Sequence, residues 1–99
     1  DNAFRPHHLA TVINALQQRP DADFGYGNMV LHCAGGAVIG RQTPFYAQID
    51  TSMIVHRREL LNRGTWEPSL PTIDWDLVSR WMLEGARWVW VDDITTDKY

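Results

Sequence analysis

The sequence predicts an α/β domain in which a mixed sheet packs against helices. Three observations predict it. Leu9, Val12, Ile13 and Leu16 recur at helical spacing. The stretch "DFGYGNMVLHC" (residues 23–33) and the short "AVIG" flank a turn at Ala34–Gly36 and read as a hairpin. The run Trp88–Val91 is nearly continuous in apolar residues, as in a strand covered on both faces.

Taken in order, Pro6 suits a first helical turn, where a missing N–H costs little. The helix runs to about Arg19, and Pro20 stops it. After the hairpin, "RQTPFY" reads as a loop. "QIDTSMIVH" (48–56) is short and rich in β-branched residues, which predicts a strand. "RRELLNRG" (57–64) reads as a short helix closed by Gly64. "TWEPSLPT" is a loop, because two prolines break any ladder. A helix from about Asp74 to Glu84 places Leu77, Val78, Trp81 and Met82 on one face, and Gly85 ends it. "ARWVWVDD" (86–93) is then a strand, and "ITTDKY" trails off with no element assigned.

The chain has 99 residues, enough for one small domain or part of a larger one. Its order of elements looks like half of a fold: no strand leads into the first helix, and no helix follows the last strand. The formal net charge is −3 with no basic run, which argues against nonspecific nucleic-acid binding. No apolar run reaches the roughly 20 residues of a membrane helix. A single cysteine, Cys33, excludes an intrachain disulfide and fits a reducing, cytoplasmic setting. With no basic neighbour, Cys33 reads as inert. The glycines of "CAGGAVIG" fit a hairpin better than a phosphate cradle, and none of the four histidines has the spacing of a helical metal pair.

The informative stretch is "TIDWDLVSRW" (72–81), which sets Asp74 and Asp76 either side of an indole at the mouth of a helix. As an N-cap, Asp74 would satisfy a free N–H for about 1 kcal/mol. Capping explains one acid, whereas a sugar-handling site would explain both acids and the indole between them. Asp76 reads first as a first-turn acid, with Arg80 one turn on as its i,i+4 partner. All five tryptophans, Trp66, Trp75, Trp81, Trp88 and Trp90, fall in the final third. Trp81, Trp88 and Trp90 are assigned to core, whereas Trp75 and the loop residue Trp66 are candidates to stack on a sugar ring.

On these residues, "DWDLVSRWMLEGARWVWVDD" resembles the second half of a family 2 glycosyltransferase of the GT-A fold. In that family an acidic motif, then x-Asp-Leu and an Arg three residues on, opens a helix that ends in Gly before an apolar strand. The matching residues are Asp74, Asp76, Leu77, Arg80 and Gly85. Ile73 stands where the family usually has Glu, which leaves Asp74 as the candidate base for the acceptor hydroxyl, its charged form favoured by the helix N-terminus; the resemblance also implies Asp76 and Arg80 as substrate contacts, Arg80 on the diphosphate. "DNAFRPHHLATVINAL" resembles the residues after the family's metal-binding Asp-x-Asp motif, so Asp1 would be that motif's last acid. "QIDTSMIVHRREL" resembles the strand leading to an Arg-Arg or Arg-Glu helix start. The family's late metal-ligating His has no match through Tyr99.

The resemblance spans nearly the whole chain. It implies the C-terminal, acceptor-side half of a GT-A domain, with the nucleotide-binding half preceding Asp1. It implies an inverting enzyme with a nucleotide-sugar donor, a carbohydrate or other hydroxyl acceptor, and Mg²⁺ or Mn²⁺ held in part by Asp1. On this reading the piece alone is inactive and self-associates if its uncovered face is apolar. The rival expectation is a non-catalytic α/β module that holds carbohydrate or protein through exposed tryptophans.

Overall fold

The computed structural model describes residues 2–63 and 73–99. Its centre is strand β2 (Phe24–Leu31), buried along nearly its whole length because neighbours flank both edges. Strand β5 (Trp88–Lys98) runs parallel to it on one edge. The other edge is shared. β4 (Ile54–His56) pairs antiparallel with the first half of β2, Phe24 against His56 and Tyr26 against Ile54. β3 (Ala37–Ile39) pairs antiparallel with the second half, Met29 against Ile39 and Leu31 against Ala37. β1 (Asn2–Phe4) pairs antiparallel with the far end of β5, Asn2 against Lys98.

Helix α1 (His8–Gln18) covers one face of this mixed sheet. A Cβ on Gly25 would lie 3.1 Å from Val12 and 3.0 Å from Val89, so helix and strands approach closely there. Helix α2 (Ile73–Leu83) covers the other face, since Phe24 and Tyr26 alternate with Gly25. Leu77, Val78 and Trp81 pack there with Phe24, Tyr26, Met53 and Leu60, all buried. The Trp81 and Phe24 ring centroids are 5.5 Å apart. The α2 terminus is set locally. The Ala86 N–H donates to the Trp81 carbonyl at 2.9 Å and the Gly85 N–H to Met82 at 3.0 Å, the two bonds of a Schellman cap. Gly85 takes the left-handed φ of +84° this cap needs.

The structure is thus a mixed α/β domain, as the sequence predicts, but its described residues form two α-helices rather than three, and several elements differ. The α1 stripe is rotated from the expected one. His8, Val12 and Leu16 are buried, whereas Leu9 (53% exposed) and Ile13 (40%) face outward. The expected strand over 48–56 contracts to Ile54–His56, because Asp50 caps a 3₁₀ turn at Thr51–Met53 by accepting the Ser52 N–H at 3.0 Å. The expected helix over 57–64 is a 3₁₀ segment, Arg58–Arg63. The last strand continues through the residues expected to form an unassigned tail. Trp81 is core as expected. Trp88 and Trp90 are half-buried against the α2-side core, and each spends its indole N–H, on the Gln42 carbonyl and Asn28 Oδ1, both at 2.8 Å.

Candidate functional site

Asp74 lies in the first turn of α2, and the Thr51 hydroxyl donates a hydrogen bond to its Oδ1. Thr51 belongs to the 3₁₀ turn that Asp50 caps. Asp50 is 8% exposed, which would be costly for an isolated carboxylate, but it is well supplied with donors. Asn2 Nδ2 donates to its Oδ1 at 3.2 Å, and so does the Ser52 N–H at 3.0 Å. The Lys98 ammonium donates to its Oδ2 at 3.1 Å. Asn2 also donates to the Ser52 hydroxyl at 2.6 Å. One corner therefore joins the start of β1, the end of β5, the 50–52 turn and the mouth of α2. It sits at the carboxyl end of the parallel β2–β5 pair, where Leu31 and Lys98 are in register. Open α/β sheets bind their ligands outside such strand ends.

The charges in this corner reinforce one another. The hydrogen bond and charge of Asp50 hold the Lys98 ammonium above its ordinary pKa, and Asp74 adds a smaller push in the same direction. On the next residue back, Asp97 belongs to the opposite face of β5 and to a separate cluster. Arg5 donates to it through Nε at 3.0 Å and Nη2 at 3.1 Å, and His32 Nε2 lies 2.8 Å from Oδ1. These bonds, Arg5 first, hold the Asp97 carboxyl down to about 2. The Tyr99 ring stacks on His32 at 4.5 Å between centroids.

Of the residues singled out in the sequence, Asp74 is placed in this corner. Trp75 is half-buried and packs against the α2-side core. Asp76 and Arg80 pair with each other, Arg80 Nε and Nη2 both 3.0 Å from Asp76 Oδ2. Asp1 and Trp66 lie outside the described residues. Among the described residues, no group of three or more His, Cys, Asp or Glu is arranged to hold a metal ion.

Asp50, Thr51 and Lys98 were not singled out by the sequence reading. "DTS" carries the Asp-x-Ser signature of a side-chain cap and could have flagged Asp50. Lys98 had no local signal, since its place depends on how far β5 extends. A cavity of about 320 Å³ lies at the opposite end of β5, lined by Arg19, Gln42, Thr43, Trp88, Val89 and Trp90. Among the described residues its lining includes no carboxylate to act as a base.

Comparison with family models, with curated proteins and with solved structures finds no match to this chain.

Proposed function

We propose that the chain is the acceptor-side part of an inverting, metal-dependent glycosyltransferase with Asp74 as its general base. The enzyme would transfer a sugar from a nucleotide-sugar donor to an acceptor hydroxyl. Asp74 Oδ2 takes the hydroxyl proton as that oxygen attacks the anomeric carbon and the bond to the nucleotide diphosphate breaks on the opposite face. A bound Mg²⁺ or Mn²⁺ would offset charge on the departing diphosphate, with Asp1 as one of its ligands. Trp66 and Trp75 would brace the acceptor. Arg80, already paired with Asp76, either reaches the diphosphate or only steadies α2.

The observation that carries the reading, beside the sequence resemblance, is the placement of Asp74. It opens α2 in the corner where Asn2, the residue next to Asp1, meets the carboxyl end of β5. The candidate base thereby lies at the carboxyl end of the parallel strands, where open α/β sheets bind their ligands.

The test is Asp74→Asn in the protein carrying the nucleotide-binding half. Turnover of nucleotide sugar should fall about 10²- to 10⁴-fold, the usual range for a lost general base, with an unchanged melting temperature. Turnover at the wild-type rate would sink the assignment. A protein that consumes no nucleotide sugar, yet quenches its tryptophan fluorescence on adding oligosaccharide, would favour the binding-module reading.

A further inference from the structure

We infer that Thr51 is a positioning residue for Asp74, holding one carboxylate oxygen so that the other faces the acceptor. The inference rests on Asp74 being the base. Among the described residues no second hydrogen bond reaches that carboxylate, so Oδ1 is committed to Thr51 and Oδ2 is left for the substrate. Without the Thr51 hydroxyl, the carboxylate would turn about its terminal torsion, which is broad and roughly two-fold.

A positioning group must itself be fixed, and the corner supplies the fixing. The Thr51 side chain is exposed, but its backbone sits in a turn anchored by the buried Asp50. Asp50 is tied to β1 through Asn2 and to β5 through Lys98. Two separate strands thus hold the turn, and the Thr51 hydroxyl extends that rigidity to the helix that carries Asp74. Anchoring the turn does not require the hydroxyl, since Asp50 already does it. An exposed hydrogen bond also adds little to stability. The contact is better explained by the orientation it gives to Asp74.

The experiment compares Thr51→Val, Thr51→Ser and Asp74→Asn, with turnover measured in the protein carrying the nucleotide-binding half. With Thr51→Val, kcat should fall about 10- to 100-fold, the range for losing a hydrogen bond to a charged group, while the donor KM stays unchanged. Thr51→Ser should restore most of the loss, because it keeps the hydroxyl. In the Asp74→Asn background, Thr51→Val should cost much less than it does alone. The same substitutions read independently of turnover on this chain. The Asp74 carboxylate ¹³C resonance should move with Val and stay with Ser.

A wild-type kcat for Thr51→Val, a Ser variant as impaired as Val, or an unmoved Asp74 resonance each overturns the inference. The two readings fail separately. Wild-type turnover in Asp74→Asn removes the base and the positioning role together. An inactive Asp74→Asn beside a fully active Thr51→Val removes the positioning role alone. Thr51 is exposed, so Val should fold; if it does not, Thr51→Ala with Thr51→Ser makes the same comparison.

Discussion

The two halves of β5 invert the usual relation between hydropathy and burial. Trp88–Val91 is apolar, yet all four residues are only half-buried. Thr95, Thr96 and Asp97 are polar, yet their exposures are 0%, 0% and 8%. Between them the strand bulges. Between the pairs Tyr26–Trp90 and Asn28–Ile94, β2 has only Gly27 where β5 has Val91, Asp92 and Asp93, and the exposed Asp92 and Asp93 occupy the excess. The first half has β2 on one edge. The second has β2 on one edge and β1 on the other, with His8 of α1 packed on Thr95. Neighbours, not side-chain chemistry, set the burial.

A buried polar strand survives only if its groups are paired. Here they are: among the described residues no buried side-chain nitrogen or oxygen lacks a partner. Thr95 Oγ1 lies 2.8 Å from His8 Nδ1, Thr96 Oγ1 donates to the Asn28 carbonyl at 3.4 Å, and Asp97 takes Arg5 and His32. Burial, with a smaller push from His7, holds the His8 imidazole below its ordinary pKa, which favours the neutral ring against Thr95. The apolar half is held by packing and the polar half by pairing, so the two should respond to different perturbations.

The largest effect should come from the packing half. Trp81→Ala removes the fully buried indole that α2 sets against Phe24, and should cost about 3–5 kcal/mol by chemical denaturation. A smaller loss would mean that the tryptophans repack into the space.

Next comes the junction of β2 with the polar half. A Cβ on Gly27 would lie 2.6 Å from Thr95 Oγ1 and 3.0 Å from the Asp93 carbonyl. Gly27→Ala should therefore destabilise by about 1–3 kcal/mol through overpacking, and should weaken amide-exchange protection over 94–98 more than over 88–91. Equal loss in both halves would erase the distinction between them.

Acid separates the halves without mutation. Asp97 is held below its ordinary 3.8, down to about 2. A depressed carboxyl contributes stability that is present above its unfolded pKa and lost as pH falls through its folded one. The Asp97 contribution should therefore fade between about pH 4 and 2, and Asp97→Asn should flatten that part of the pH–stability curve. The curve is read by tryptophan fluorescence, and an unchanged slope would show that the ion pairs of Asp97 contribute nothing to folding.

The smallest effect belongs to the helix surface. Arg80→Ala breaks the i,i+4 pair with Asp76, worth about 0.2–0.5 kcal/mol. On the proposed function, a loss of nucleotide-sugar turnover well beyond that small change in stability would instead assign Arg80 to substrate.

Helix α2 was legible almost residue by residue, expected over 74–84 and found at Ile73–Leu83. Its signals are local: an apolar face, first-turn acids and a glycine cap. The hairpin of β2 and β3 was legible for the same reason. β1 was not, because three exposed residues, "NAF", have no pattern and become a strand only by pairing with β5. The α1 stripe was misplaced because periodicity marks apolar residues, and a neutral, hydrogen-bonded His8 can take a core position that Leu9 gives up. At the candidate site Asp74 could be named in advance, since a helix start is a local feature. Its neighbours Thr51, Asp50 and Lys98 are 23, 24 and 24 residues away in sequence, so only folding joins them.

The sequence by itself determined the α/β class, the two helices, the central hairpin and the acid at the mouth of α2, because each depends on interactions within a few residues. Only the tertiary structure decided that the polar end of β5 is interior and that Lys98 and Asn2 meet on Asp50. It also decided that Thr51 reaches Asp74. Burial and pairing across a sheet depend on which segments become neighbours, and that is a property of the whole chain.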